Sequence, residues 1–563
     1  MIASAWPKDH NTHATPQEVS CYDIHVKHLD DITYTLDDRL QQITELEKET
    51  ATLKKGPLNT VASETFLRTL QKIDEIHKQP RQITTRAEVQ LMELSTLDIE
   101  TYARHKLIVP DEHPDTRSNL RLFSTIEEKP LNQKPKRRRG ITHTPMDNLH
   151  AKDFDKVQLV APVQQAHVVK HAAICVDFQA FFNQLRLGTR RQYWGFTDGH
   201  GRDWRITTLP TGATFSPLIA ELLTSTIARW LEARCPGIRA DTFIDNIRIS
   251  GNDEYAARWA TDILMTKLEE LNIQVNETRE NIQTMDVHNF QYLGIIYDLT
   301  EPKDIRITIT NKLANKITAI LADTNMHTHS MRKILSYFGI ITFASMVLLL
   351  PRAKYYTLLK YMRRRASQAT PLDSAANIWP TALNTLKRWC TDILTRQTLT
   401  TIPRHDKTLQ HWHVFTDASN HGYGSVILTP TETIIDAGKW TAAESDAHIN
   451  IKEAAALLRA AKLTNASATS RRITPTITYH VDNTSVIGAV RNTTSRSFEL
   501  NDMVDKLNAE LNITRTGDIE YVESSRNIAD LPSRQTIYKK FTAQTGIFRK
   551  SMLTELFTPK TQI

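Results

Sequence analysis

Short apolar, β-rich runs that end on a carboxylate constrain this sequence more than any other feature. Ile174-Cys175-Val176 leads straight into Asp177, the way a buried strand delivers a carboxylate to its exposed end. Asp245 sits within Phe243-Ile244-Asp245-Asn246-Ile247-Arg248-Ile249, the pattern of a strand, a tight turn and a returning strand. A second series follows. Asp417 ends the run from His411, Glu453 lies on an Ala-rich helical stretch from about Ile449 to Ala461, Asp482 follows Ile477 to Val481, and Asp530 closes the series. Any one strand aspartate is more often a cap or an ion-pair partner. Several brought to one sheet can share Mg²⁺, whose preference for oxygen ligands suits phosphoryl chemistry.

The chain has 563 residues, enough for about four units at roughly 150 residues each. Apolar residues are 40% and charged residues 24% of the sequence, so it can bury cores and is not broadly disordered. The longest apolar stretch, Ala344 to Leu350, is far below the roughly 18 residues a membrane span needs. The first ten residues lack a basic-then-apolar signal layout. The expectation is an intracellular protein, cytoplasmic or nuclear, with no membrane partner. Cys21, Cys175, Cys235 and Cys390 are too scattered for a zinc knuckle and too few to staple the chain, so they read as buried thiols. The net charge of +7 suits a polyanion partner but does not require one.

From Asp30 to Leu53 and again from Val61 to His77, apolar residues recur every three or four positions, as on amphipathic helices. They could pair as a hairpin or short coiled coil, but a helix docked on its own domain is favoured. Pro110, Pro114 and Pro130 punctuate a polar stretch that ends in Lys134-Pro135-Lys136-Arg137-Arg138-Arg139-Gly140. Residues 155–300 alternate β-rich runs (Ala173 to Val176, Trp204 to Leu209, Thr242 to Ile249) with helical patterns (Ser216 to Arg234, Glu254 to Leu271). Residues 310–400 read as helical, with an acid-free basic run from Pro351 to Arg365, and strands return from His411.

Asp177-Phe178-Gln179-Ala180-Phe181-Phe182, Leu209-Pro210-Thr211-Gly212, Phe243-Ile244-Asp245-Asn246 and Phe290-Gln291-Tyr292-Leu293-Gly294 resemble, in order, successive motifs of reverse transcriptases. The resemblance implies that Asp177 and Asp245 hold two Mg²⁺ ions (Mn²⁺ being possible) for nucleotidyl transfer. It implies that Phe182 lies beneath the sugar and excludes ribonucleotides, and that Gly212 lets backbone approach nucleotide and template. Leu293 and Gly294 would steady the primer end. Asn246 departs from the family's second acid, keeping an oxygen but losing a charge. Arg139-Gly140-Ile141, followed by Asn148-Leu149, is similar to the fingers strand, making Arg138 and Arg139 candidates to clamp a triphosphate. A nuclear-localisation role for the basic run stays open. The helical, basic stretch to Arg365 resembles a thumb and connection, whose cations would track template-primer phosphates.

Thr416-Asp417-Ala418, Lys452-Glu453, Val481-Asp482-Asn483 and Asn527-Ile528-Ala529-Asp530-Leu531-Pro532-Ser533-Arg534 resemble ribonuclease H, with its four acids around two Mg²⁺ ions. Tyr521 stands where many such enzymes carry a histidine. The resemblance spans about residues 120–540 and leans towards DIRS-like, VIPER-type retrotransposons.

The expected fold is multidomain α/β: a right-hand polymerase of fingers, palm and thumb, then a ribonuclease H-like α/β domain, with a helical N-terminal extension. The expected boundaries are 1–115 for the extension, 116–300 for fingers and palm, 301–405 for thumb and connection, 406–545 for ribonuclease H, and 546–563 for a tail. The implied partners are an RNA template, a DNA primer, an RNA–DNA hybrid and dNTPs, with an integrase or recombinase supplied by another chain. The sequence leaves the oligomeric state open. The competing expectation is a degenerate reverse transcriptase kept as a nucleic-acid-binding or assembly scaffold, which Asn246 favours and the complete acidic quartet opposes.

Overall fold

The computed structural model describes residues 32–78, 94–111, 118–127, 137–368, 370–396, 400–403, 410–473, 475–511 and 518–534. The chain is mixed α/β and divides into two compact units, 1–293 with 298–302, and 294–297 with 303–563. Among the described residues, no helix is long and apolar enough to cross a membrane. Cys21 and Lys134 to Lys136 lie outside the described residues. Cys175, Cys235 and Cys390 are free thiols, and burial pushes Cys175 and Cys390 up to about 12.

In the first unit, the helix Leu36–Lys54 starts at a capping box between Thr35 and Asp38 and ends where Lys55 turns to φ 49°. Its Leu36, Ile43 and Leu46 enter the same core as Phe66, Leu70 and Ile73 of the helix Val61–Lys78, and as Phe178, Ile219 and Leu231. The two N-terminal helices are therefore docked on their own unit. Arg39, fully buried, donates to the carbonyls of Leu271 (2.6 Å) and Asn272 (3.2 Å) and to Gln42 Oε1 (2.8 Å).

The central sheet of this unit is antiparallel, in the order Ala172–Asp177, Asn246–Gly251, Arg239–Phe243. The helix Ser216–Arg234, opened by a proline in its first turn, lies against it. The strand expected from Trp204 to Leu209 is shorter, Asp203–Ile206, because the chain leaves the sheet ahead of Pro210 and the Leu209 N–H donates to the Leu185 carbonyl at 2.9 Å.

The second unit holds the helices Asn311–Ala322, Met331–Val347, Tyr356–Ser367 and Pro380–Thr395. The cations of the basic run have protein partners here. Arg352 Nη2 donates to the Asn492 carbonyl at 2.6 Å, Arg363 Nη1 to the Ser495 carbonyl at 3.5 Å, and Arg364 lies over the Trp379 ring. A five-stranded sheet follows, in the order Thr433–Lys439, Gly422–Leu428, His411–Ala418, Thr476–Val481, Ile519–Tyr521. The first two pairings are antiparallel and the last two parallel. The helix Ile449–Ser470 is nine residues longer than the stretch read from sequence and supplies the crossover between parallel strands.

Candidate active sites

Asp177 is the last residue of its strand and sits opposite Asn246, the first residue of the neighbouring one. Asp245 lies in the two-residue turn just before Asn246, and its carbonyl accepts the Phe178 N–H at 2.8 Å. The two aspartates thus occupy neighbouring positions at one end of the sheet. Asn276 Nδ2 donates to Asp177 Oδ2 at 2.6 Å, and Glu277 Oε2 accepts the Asp177 N–H at 2.9 Å. Asn246 turns its Nδ2 to Asp245 Oδ1 at 2.9 Å. Burial pushes the Asp245 carboxyl up, opposed by the Asn246 hydrogen bond and by the charge of Arg139. Arg139 is thus close enough to Asp245 to be felt electrostatically, and Arg138 precedes it on the strand Arg137–His143.

The turn itself is unusual. Ile244 has φ 58°, in the left-handed region where a β-branched residue is a rare outlier. Its N–H donates to Glu221 Oε2 at 2.6 Å, and its carbonyl accepts Thr224 Oγ1 at 2.6 Å, both from the helix Ser216–Arg234.

Gly212 lies in a loop sewn to the strand that carries Arg139. Its N–H donates to the Thr142 carbonyl at 2.8 Å, its carbonyl accepts Asn148 Nδ2 at 3.0 Å, and the Thr142 carbonyl stands where a Cβ would have to go. The close approach at Gly212 in this structure is between two segments of the chain itself. Phe182 is half-buried at the edge of the core, whereas Phe181 beside it is fully buried, edge-on to Phe178. Leu293 (φ 49°) helps line a cleft of about 460 Å³ together with Asp177, Asn246 and Glu277. Gly294 (φ 79°), in the second unit, would place a Cβ 3.5 Å from the Phe343 ring.

Among the described residues, Asp417, Glu453 and Asp482 form the one group of three or more potential ligands, with ligand atoms all within 4.8 Å of one another. The fold explains how they meet. Asp417, next to last in the strand His411–Ala418, and Asp482, just beyond the strand Thr476–Val481, lie at the same end of these two adjacent parallel strands. The helix Ile449–Ser470 buries its small alanines 454, 455, 456, 460 and 461, and with them Glu453, which is left 5% exposed. Glu453 Oε2 is buried and, among the described residues, has no hydrogen-bond partner. Burial, then the charges of Asp417 and Asp482, pushes Glu453 up to about 9, and burial raises Asp417 to about 6. A buried oxygen aimed among acids with no donor is what a hard divalent cation would satisfy, so these residues fit Mg²⁺.

Asp530 opens the short helix Asp530–Ser533, which packs on the sheet because Gly424 leaves no Cβ there; one would sit 2.6 Å from the Ser533 nitrogen. Asp530 raises Asp417 by its charge but is held by Arg534, at 2.6 and 3.0 Å. It stands beside the group of three rather than in it. Ser533 Oγ donates to Asp417 Oδ2 at 2.5 Å and Ser524 Oγ to Asp482 Oδ2 at 2.8 Å. Tyr521 is 57% exposed.

The sequence did not single out Glu221, Thr224, Asn276, Glu277 or Ser524, and it placed Ser533 and Arg534 in a motif without indicating their contacts. Glu221 and Thr224 carried little signal, being two of several polar residues in the run Ser216 to Arg234. Asn276 and Glu277 carried none, since their partner lies some hundred positions away.

No family model and no curated protein matches the chain. Similar solved structures include the foamy viral protease-reverse transcriptase dRH bound to double-stranded DNA, with 12% identity over 91% of this chain and 85% of that one and a TM-score of 0.43. A further complex of the foamy viral protease-reverse transcriptase with double-stranded DNA matches with 13% identity over 89% of this chain and 99% of that one, at a TM-score of 0.41. Its complex with an RNA/DNA hybrid matches with 14% identity over 90% and 65%, at a TM-score of 0.43. Likeness this loose does not assign an activity.

Proposed function

We propose that the chain is an RNA-directed DNA polymerase with ribonuclease H activity, a right-hand polymerase of fingers, palm and thumb in front of a ribonuclease H domain. The observation that carries it is the presence, in one chain, of two separate carboxylate sites at strand ends. The second site holds a buried glutamate oxygen, without a hydrogen-bond partner among the described residues, close to two aspartates. Its sheet, with three antiparallel strands, a crossover helix and two parallel strands, supports the ribonuclease H half.

Asp417, Glu453 and Asp482, with Asp530 beside them, would hold Mg²⁺ in the second unit, and Asp177 with Asp245 in the first. Bound Mg²⁺ supplies charge neutralisation at a phosphate and a lowered pKa for an attacking hydroxyl or water. The chain's own residues do the rest. Glu453, protonated at neutral pH without a cation, must release its proton before it can serve as a ligand. Ser533 and Ser524 fix the rotamers of Asp417 and Asp482. In the first unit Asn276 and Glu277 orient Asp177. Arg139, whose charge reaches Asp245, would meet the triphosphate, with Arg138 next to it. Phe182 would lie under the deoxyribose. In this reading the chain copies retroelement RNA and degrades it in the hybrid.

The test is primer extension on an RNA template with dNTPs and Mg²⁺, run beside cleavage of an RNA–DNA hybrid. Both activities are expected from the wild-type chain. Asn246 favours a second reading, a nucleic-acid-binding scaffold, which absence of both activities would support.

A further inference from the structure

The Phe243-Ile244-Asp245-Asn246 turn holds a conformation its own sequence disfavours. A two-residue hairpin turn with positive φ normally carries Gly, Asn or Asp at that position. Here the position is Ile244 at φ 58°, a branched residue whose Cβ crowds the backbone there. Such a backbone persists only where its surroundings over-determine it. Three hydrogen bonds to the helix Ser216–Arg234 surround this one. Glu221 Oε1 accepts Thr242 Oγ1 at 2.6 Å, Glu221 Oε2 accepts the Ile244 N–H at 2.6 Å, and Thr224 Oγ1 donates to the Ile244 carbonyl at 2.6 Å. Thr224 is fully buried, and one turn of helix separates it from Glu221, so both reach the same loop. On the other side, the Asp245 carbonyl accepts the Phe178 N–H, one residue beyond Asp177.

We propose that Glu221 and Thr224 are positioning residues that clamp the strained Ile244 turn and thereby fix Asp245 beside Asp177 in the polymerase site. The assignment rests on the polymerase reading above and names a device nothing in the motif pattern indicates. With Asn246 in place of a second acid, Asp245 is the single carboxylate of its turn, so its placement has no substitute nearby. Glu221 is half-buried, and both of its carboxylate oxygens are engaged, one by Thr242 and the other by Ile244. Its effect on the reaction must pass through the turn.

The experiment uses the full chain and its Glu221→Ala, Glu221→Gln, Thr224→Val and Glu221→Ala/Ile244→Gly variants. Primer extension yields kcat and KM for dNTP as well as the Mg²⁺ concentration at half-maximal rate. Hybrid cleavage and a thermal melt on the same preparations report folding. Glu221→Ala is expected to lower kcat at least tenfold and raise the Mg²⁺ requirement, with KM for dNTP changed less than threefold and hybrid cleavage unchanged. Glu221→Gln, which keeps an oxygen for the Ile244 N–H, should recover part of the loss, and Thr224→Val should lose several-fold. Ile244→Gly in the Ala background should recover at least threefold, because glycine adopts the turn's φ without crowding. A purely structural role would lower the melting temperature but leave kcat per folded molecule and the Mg²⁺ requirement alone, and would show no rescue by Ile244→Gly; that result overturns the proposal. If Glu221→Ala fails to fold, Thr224→Val decides by the same criteria. A wild-type chain that extends no primer removes the polymerase reading and this inference with it, an outcome distinct from a wild-type chain that extends while its variants extend equally well.

Discussion

Replacing Glu453 with glutamine should stabilise the metal-free protein, although it removes a central acid. The Glu453 carboxyl is held at about 9 instead of the ordinary 4.5, first by burial and then by the charges of Asp417 and Asp482. A folded-state value raised in this way means that, between those limits, the folded chain keeps a proton the unfolded chain has released. Folding is therefore favoured fully below about pH 4.5 and loses ground as pH rises towards 9. Each unit of that climb costs about 1.4 kcal/mol, so at pH 7 the wild-type site has given up about 3 kcal/mol relative to acid conditions. Glutamine has the same shape and never ionises in either state, so it escapes the loss. For a unit of this size, about 3 kcal/mol corresponds to a melting temperature higher by about 6–12 °C. The assay is thermal unfolding of the full chain in EDTA at pH 5 and pH 7, with hydrogen exchange in the helix Ile449–Ser470 identifying the transition of the second unit. Saturating Mg²⁺ should narrow or reverse the gap, because only the wild-type site gains by binding it. A glutamine variant no more stable than wild type at pH 7, or more stable by the same margin at pH 5, would refute the reasoning about a buried, proton-holding glutamate.

Asn246→Asp should increase primer extension if the missing charge limits Mg²⁺ use; single-turnover rates across a Mg²⁺ series measure this, and an unchanged rate shows that Asn246 is not limiting. Phe182→Val should raise ribonucleotide incorporation by roughly tenfold, the order of a 1.4 kcal/mol change in discrimination, and unchanged discrimination would make Phe182 an ordinary core-edge residue. Arg39→Met should destabilise the first unit by about 1–3 kcal/mol, because the Asn272 carbonyl loses its Arg39 donor and the Leu271 carbonyl keeps only Gln42 Nε2 at 3.3 Å; urea unfolding reads the difference, and a midpoint shift near zero would mean that water replaces the guanidinium.

Much of the fold was legible because it is locally encoded. The helix Ser216–Arg234 matches its sequence pattern end to end, with Pro217 fixing the first turn. The second helix begins at Val61 as read and ends at Lys78, one residue beyond. Asp177, Asp417 and Asp482 sit at strand ends as their apolar runs imply. What was not legible depends on distant contacts. The length of the helix Ile449–Ser470 is set by tertiary packing rather than by its Ala-rich start. Arg39 looks like one more charge on an amphipathic helix, and only the fold shows it buried against carbonyls more than 200 positions away. Basic side chains from Arg352 to Arg365 read as a phosphate-facing run, yet Arg352 and Arg363 bind carbonyls of the 492–495 segment, an arrangement the run's composition cannot encode. Ser533 and Arg534 stood within the motif around Asp530, but their hydrogen bonds to Asp417 and Asp530 depend on how Gly424 lets the short helix lie down.

The most direct test of two independent carboxylate sites is a crossed pair of variants, Asp245→Asn and Asp482→Asn, each assayed for primer extension on an RNA template and for hybrid cleavage. Asp245→Asn should abolish extension and leave cleavage intact, and Asp482→Asn should abolish cleavage and leave extension intact. Loss of both activities in either variant, or survival of extension in Asp245→Asn, would contradict the assignment of one chemistry to each site.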